Sequence, residues 1–360
     1  MDVFDRIEAD GYEQVVFCHD RPTGLKAIIA IHSTSLGPAL GGTRFYPYAS
    51  ESAALEDVLR LAKGMTYKAA VAGLDQGGGK AVIIGDPATD RTEALIRAYA
   101  RFVESLGGRY ITAEDVGTTQ DDMDLIRRET RHVTGVSQEL GGSGDPSIAT
   151  AYGVWWAMKA VAARLWGQPA LAGRNVAVSG VGKVGTALVG LLAEDGARVA
   201  VADVVPAAVE RVVTRYPGSV SAEDPATIHA VPCDIYSPCA LGGTLDAVRI
   251  PQMGCAAVVG SANNQLADPS CAKLLEEQGI VYAPDYVVNS GGIINIAEER
   301  SPTGYRKDRA DAQVQRIFET TGRVLAVAEA EGVTTAEAAD RIAERRMAEL
   351  ARVRQIRTFR

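Results

Sequence analysis

A lysine that follows three glycines and leads into an apolar run is well placed to do chemistry, and Leu74-Asp75-Gln76-Gly77-Gly78-Gly79-Lys80-Ala81-Val82-Ile83-Ile84 contains one. Lys80 stands at the edge of an expected buried strand. Burial favours its neutral form, as a proton-transfer group needs, and the glycines leave room for a substrate beside it. A phosphate-binding loop would require Ser or Thr after the lysine to hold magnesium, and Ala81 offers no hydroxyl. The plainer alternative is a solvent-exposed lysine in a flexible loop. Lys68, in Met65-Thr66-Tyr67-Lys68-Ala69-Ala70, has apolar or small neighbours on most sides. A charge in that setting needs a partner, and a substrate carboxylate would be one. Asp115, in Thr112-Ala113-Glu114-Asp115-Val116-Gly117-Thr118, follows an expected strand, and ligands of α/β sheets collect beyond the carboxyl ends of strands. A turn or capping aspartate is the competing reading there.

A second constellation points to a dinucleotide. Val176-Ala177-Val178-Ser179 reads as a strand, Gly180-Val181-Gly182-Lys183-Val184-Gly185 follows at once, and Thr186 to Asp195 reads as a helix. Gly180 permits the tight turn, Gly182 lets a pyrophosphate approach the backbone, Gly185 lets helix and strand pack closely, and the helix N-terminus favours the negative charge. The next strand, Arg198 to Ala202, ends at Asp203, about 20 residues on, where a carboxylate accepts the ribose hydroxyls of NAD and repels a 2′-phosphate. The spacing therefore favours NAD over NADP.

The elements that must position these groups form two α/β alternations. Residues 13–20 and 25–33 read as a hairpin around Arg21-Pro22-Thr23-Gly24. A glycine-rich loop follows, then a long amphipathic helix from Ser50 to Ala70, with Ala54, Leu55, Val58, Leu61, Ala62 and Met65 along one stripe and Ser50 as N-cap. Strand 81–84, helix 91–106, strand 109–113 and helix 120–128 imply parallel strands with crossover helices. The turn cluster Gly141-Gly142-Ser143-Gly144-Asp145-Pro146 precedes a helix from about Ile148 to Trp166 and marks the domain boundary. Short apolar strands near 176–180, 198–202, 232–236, 256–260 and 280–283 then read as a parallel sheet covered on both faces. Helices near Asp308–Glu331 and Thr335–Ala351 close the chain, ahead of an Arg-rich end from Arg352 to Arg360 expected to fray. The expected architecture is α/β with two domains, 1–146 and 147–329, in which the helices of about 330–360 pack back onto the first.

Composition narrows the function classes. At 360 residues two domains are the natural expectation, and a net charge of −8 argues against nucleic acid or anionic membrane as a partner. No apolar run approaches the ~20 residues that span a bilayer. The acidic start is unlike a secretion signal, so the cytoplasm is the expected compartment. The 5 cysteines lack CxxC spacing and the 4 histidines lack metal-ligand spacing, which argues against structural zinc and a disulfide framework. Each cysteine reads as a small buried hydrophobe.

Taken together, His32 to Arg44 (HSTSLGPALGGTR), the GGGK segment, TAEDVGT, GVGKVG, Ile235 to Gly243 (IYSPCALGG), Gly260 to Leu266 (GSANNQL) and Tyr282 to Ile294 (YAPDYVVNSGGII) resemble the amino-acid dehydrogenase superfamily of glutamate, leucine, phenylalanine and valine dehydrogenases, most nearly its branched-chain members. The resemblance implies an N-terminal substrate-binding and oligomerisation domain and a C-terminal Rossmann domain with a cleft between them. It implies NAD-dependent, reversible oxidative deamination of valine, leucine or isoleucine to the 2-oxo acid and ammonia, through hydride transfer and imine hydrolysis, by a cytoplasmic homo-oligomer without a metal. Residue by residue, Lys68 would bind the substrate carboxylate with backbone near Gly41 and one or other of Asn263 and Asn264. Lys80 would polarise the carbonyl and manage the attacking water, while Asp115 exchanges protons with the amine. Leu40, Ala113 and Ile293 would line the side-chain pocket, Thr150 and Asn263 would orient the nicotinamide, and Ala240 would lie beside the cofactor. Phenylalanine enzymes tend to have glycine at the position of Ala113, so a branched aliphatic substrate is favoured. Two alternatives stay open: a dehydrogenase of L-phenylalanine or another amino acid, and an NAD-binding sensor without catalysis.

Overall fold

A buried lysine needs a scaffold that closes around it on both faces of a sheet. The computed structural model describes residues 3–353, so nearly all of the expected Arg-rich end lies outside the described residues. The chain divides into two compact units, the first comprising residues up to Asp145, Ile296–Lys307 and the described residues from Ala343 on, the second Pro146–Asn295 and Asp308–Ile342. No described helix is long and apolar enough to cross a membrane.

The first unit runs α1 (Val3–Asp10), β1 (Gln14–Asp20), β2 (Leu25–Ser33), β3 (Ala39–Tyr46), α2 (Glu51–Val71), β4 (Gly77–Ile84), α3 (Glu93–Ser105), β5 (Tyr110–Glu114) and α4 (Gln120–Arg127). Its sheet has the order β1-β2-β4-β3-β5. β1 and β2 form the expected antiparallel hairpin, β2 joins β4 antiparallel, and β3 lies parallel between β4 and β5. One face packs Ile29, Ile31, Phe45, Ile83 and Tyr110 against Ile96, Tyr99 and Met123 from α3 and α4. The other packs Ile28, Ala30 and Val82 against Ala54, Val58, Leu59 and Ala62 of α2. The Ser50 hydroxyl caps α2 by accepting from Ala53 N–H. The part of α13 (Thr335–Val353) that belongs to this unit docks Ala343, Met347 and Leu350 on Leu36, Tyr67 and Ala70.

Two sequence expectations fail here for one reason. Residues 39–46, read as part of a glycine-rich loop, are an interior strand, and Gly77 to Gly79 are strand residues, not a loop. Glycine in a strand marks close approach of another backbone, which the propensity of the residue hides. A Cβ on Gly41 would lie 1.8 Å from Gly79 O, one on Gly77 2.0 Å from Ser33 O, and one on Gly78 2.1 Å from Thr66 N. The space that side chains would take at the three glycines is thus filled by α2 and the neighbouring strands. α1 also had no counterpart in the sequence reading.

The second unit opens with α5 (Ser147–Trp166), which stops at Gly167 in the left-handed conformation, φ 77°. It continues through β6 (Asn175–Ser179), α6 (Lys183–Glu194), β7 (Arg198–Ala202), α7 (Pro206–Arg215), β8 (Val220–Ala222), β9 (Cys233–Pro238), β10 (Cys255–Val258), α8 (Ser270–Glu277), β11 (Val281–Tyr282), α9 (Asp285–Val288), α10 (Gly291–Glu298), α11 (Lys307–Gln315) and α12 (Ile317–Glu331). The sheet order is β11-β10-β9-β6-β7-β8 with every pairing parallel. β8 is one strand more than the sequence pattern indicated. The single helix expected over Asp308–Glu331 is two, because Arg316 N–H turns back to Gln313 O at 3.1 Å, a bond one residue shorter than the helical repeat.

The packing of α2 on β4 makes opposite demands on two glycines. Gly78→Ala forces a Cβ into the Thr66 backbone and is expected to lower stability by about 1–3 kcal/mol. Gly64→Ala, inside α2 with nothing within 4 Å of the new Cβ, should raise it by about 0.5–1 kcal/mol. Urea-unfolding midpoints check both signs, and equal effects would contradict the packing described.

Candidate active site

Lys80 is 6% exposed, and its Nζ lies 3.1 Å from Asp115 Oδ2. A carboxylate thus faces the buried ammonium directly. Asp115 follows β5, and the turn is held by the Thr118 hydroxyl, which accepts from Asp115 N–H at 2.9 Å and donates to Thr43 O at 2.9 Å. Asp115 can fold back over β3 only because Gly42 has no side chain: a Cβ there would lie 2.8 Å from Asp115 Cβ.

Sequence reasoning missed the residue that completes this pair. Arg44 Nε lies 3.2 Å from Oδ2 of Asp115, the oxygen that Lys80 also approaches. Its Nη1 reaches Asp57 Oδ2 at 2.8 Å, the Tyr48 hydroxyl donates to that same Asp57 oxygen at 2.6 Å, and Arg60 Nη2 takes Asp57 Oδ1 at 2.8 Å. Charges therefore alternate from Arg60 through Asp57, Arg44 and Asp115 to Lys80, and each carboxylate in the row faces two cations. Burial would push the Asp115 carboxyl up, but Lys80 first and Arg44 next outweigh it and hold it below the usual carboxylate range. Asp57 follows the same pattern: burial opposes, while bonds from Tyr48 and Arg60 and the charge of Arg44 carry it down. The product is an anionic carboxylate within proton-transfer distance of a buried lysine.

The remaining residues assigned to substrate in this unit surround the same strands. Lys68 sits half-buried in the last turn of α2. Leu40 is fully buried on β3 beside Ile111, and Ala113 pairs with Gly42. The Gly41 carbonyl accepts the Tyr110 hydroxyl at 2.6 Å, which fixes that peptide from below.

In the second unit the glycine turn has the geometry that a dinucleotide needs. Gly180 adopts φ 103°, and a Cβ on Gly185 would lie 1.9 Å from Gly180 O, so both positions exclude a side chain. Gly182 is exposed with nothing within 4 Å of its absent Cβ, and it begins α6, a helix without a side-chain cap. Open space over uncapped N–H groups fits a pyrophosphate. Val181 is buried beneath the turn, Lys183 is exposed at the first position of the helix, and Val184 is half-buried beside it. Asp203, just past β7, accepts Val181 N–H on Oδ2 at 2.8 Å and Val205 N–H on Oδ1 at 2.9 Å, which aims its carboxylate at the edge of the turn. Ala240 is exposed and abuts Gly180.

Asn263 and Asn264 are both exposed, but they differ in how they are held. Asn289 Nδ2 donates to Asn263 Oδ1 at 2.9 Å and to Ser261 O at 3.1 Å, so the Asn263 side chain is fixed. Asn264 contributes its backbone, with φ 52° and its carbonyl accepting Gly243 N–H at 2.7 Å. Asn289 is a positioning residue that the sequence reading passed over, although it lies within the YAPDYVVNSGGII segment. Thr150 Oγ1 donates to Pro146 O at 3.0 Å and stands where a Cβ on Gly292 would come within 2.7 Å, next to buried Ile293.

Residues 12–132 match the family model for the Glu/Leu/Phe/Val dehydrogenase dimerisation domain, and 141–212 and 204–355 match that for glutamate/leucine/phenylalanine/valine dehydrogenase. The chain is 52% identical over 350 residues to leucine dehydrogenase of Bacillus cereus, covering 97% of this chain and 94% of the other. It is 55% identical over 340 residues to valine dehydrogenase of Streptomyces virginiae, covering 94% of each. Among solved structures, L-tryptophan dehydrogenase from Nostoc punctiforme is similar with a TM-score of 0.86 and 42% identity, over 97% of this chain and all of that one.

The row of alternating charges sets an acid limit on stability. A carboxyl held low in the folded protein contributes stability above its unfolded pKa, near 3.9, and loses it as pH falls through the lower folded value. Without Arg44 that folded value rises, so Arg44→Met should denature at a higher pH than the parent, and Arg44→Lys should fall between them. Acid titration followed by circular dichroism checks the order, and coincident midpoints for all three would show that Arg44 does not hold Asp115.

Proposed function

The chain belongs to the glutamate/leucine/phenylalanine/valine dehydrogenase family, and on that premise we propose that it oxidatively deaminates valine, leucine or isoleucine to the 2-oxo acid and ammonia with NAD as hydride acceptor. It is an amino-acid dehydrogenase that uses a nicotinamide dinucleotide. The observation that carries the site assignment is the pairing of buried Lys80 with Asp115, in a chain that shares more than half its residues with leucine and valine dehydrogenases.

The reaction consumes an L-amino acid, the oxidised dinucleotide and water, and yields 2-oxo acid, ammonium, the reduced dinucleotide and a proton. A bound nicotinamide dinucleotide supplies the hydride acceptor. Lys68 pairs with the substrate carboxylate, with help from backbone near Gly41 and from Asn263 or Asn264; the fixed side chain of Asn263 supports giving it that role. Asp115, held anionic, takes a proton from the substrate ammonium and so frees the nitrogen lone pair that forms the C=N bond. Lys80 then orients the water that adds to the imine carbon and polarises the carbonyl of the product. Leu40, Ala113 and Ile293, each at most 5% exposed, offer only apolar contact, which suits a branched aliphatic side chain. Thr150 and Asn263 are assigned to the nicotinamide and Ala240 to the cofactor beside the turn.

Preference for NAD over NADP rests on Asp203, whose negative charge would face a 2′-phosphate. The dinucleotide turn comprises Gly180, Val181, Gly182, Lys183, Val184 and Gly185. Substrate binding is assigned to the N-terminal domain, and homo-oligomeric assembly goes with the description of that domain's family model as a dimerisation domain.

Proton chemistry and cofactor binding fall on different units, so they should separate by mutation. Lys80→Ala is expected to lower kcat by ~100-fold or more while NADH affinity, read by fluorescence titration, stays within about twofold of the parent. Equal loss of both would overturn the assignment of Lys80 to chemistry.

A further inference from the structure

All 5 cysteines are free, and they are not equivalent: Cys18 and Cys271 are buried, whereas Cys233, Cys239 and Cys255 are partly exposed. The sequence reading treated every one as a buried hydrophobe. Two of these three partly exposed cysteines face each other. β9 and β10 run parallel with Cys233 directly beside Cys255, a register continued by Ile235 with Ala257 and Tyr236 with Val258. Cys233 N–H donates to Gly254 O at 3.1 Å and pins the alignment. Neighbouring strands lie about 4.8 Å apart, within the roughly 4.4–6.8 Å Cα separation that a disulfide spans. Residues in register project to the same face, and both thiols pack against the same core cluster.

We propose that Cys233 and Cys255 form a reversible thiol-oxidation site that a hydroperoxide converts to a disulfide. The two thiols lie side by side in register on one face of the sheet. Burial disfavours the thiolate at both positions. Whichever thiol is oxidised first, the other stands in register to resolve it. The thiolate of one attacks the peroxide O–O bond, which breaks to leave a sulfenic acid and, after protonation, water from hydrogen peroxide or an alcohol from an organic hydroperoxide. The sulfur of the other then attacks that sulfenic sulfur, the S–O bond breaks, hydroxide leaves, and the proton of the attacking thiol converts it to water. Two thiols are oxidised by two electrons and one peroxide is reduced. A dithiol reductant reverses the step by thiol–disulfide exchange.

The pair lies at the start of β9 and β10, while the glycine turn follows the far end of β6 in the same parallel sheet. Oxidation should therefore leave NADH binding intact. The test treats the full chain with hydrogen peroxide, alkylates the remaining thiols and maps the peptides by mass spectrometry. The expected result is a peptide pair joined through Cys233 and Cys255 with loss of two hydrogens, alkylation of the other three cysteines, and full reversal by dithiothreitol. Cys233→Ser and Cys255→Ser should each abolish the joined peptide pair and leave a dimedone-reactive sulfenic acid on the cysteine that remains of the two. Five alkylated cysteines after treatment, or oxidation confined to Cys239, would overturn the proposal.

Discussion

One carboxylate oxygen shared by two cations governs the first unit. Oδ2 of Asp115 meets Lys80 and Arg44 at 3.1 and 3.2 Å, and most local features of the fold serve that meeting. Gly42 lets the aspartate lie on β3, Thr118 ties its turn to that strand, and Asp57 with Tyr48 keeps Arg44 from swinging away. A buried charge that lost one partner would be costly. Arg44 gives Asp115 a second cation, so the carboxylate does not depend on Lys80 alone.

The second unit solves a different problem with the same means, the removal of side chains where a backbone must come close. Gly180 and Gly185 let turn and helix pack, while Gly182 leaves its outer side open. Asp203 braces the turn by accepting Val181 N–H and places a carboxylate at its edge. Loss of the Asp203 side chain would therefore also remove a brace of the turn.

The parts of the molecule that were legible in the sequence are those whose signal is local. Val176 to Gly185 followed by Asp203 displays strand, turn, helix and acid within one short stretch, and each stands where the pattern puts it. The position of Asp115 beyond the end of an apolar strand was also readable, whereas Lys80, expected at a strand's edge, lies within β4. Arg44 was not, because its partners lie 13 and 71 residues away and nothing near it marks it as buried. β3 was hidden for a related reason: Gly41 and Gly42 remove the apolar alternation that identifies a strand, and the close contacts that require glycine come from β4 and from Asp115. Likewise the facing of Cys233 and Cys255 is a matter of strand register, which spacing along the chain does not express.

The proposed reaction has one direct spectrophotometric test. Purified protein with NAD is followed at the nicotinamide absorbance in parallel with L-valine, L-leucine, L-isoleucine, L-phenylalanine and L-glutamate. Reduction with the three branched aliphatic substrates, well above that with L-phenylalanine or L-glutamate, is the predicted result. Absence of reduction with all three, in protein that still binds NAD, would contradict it.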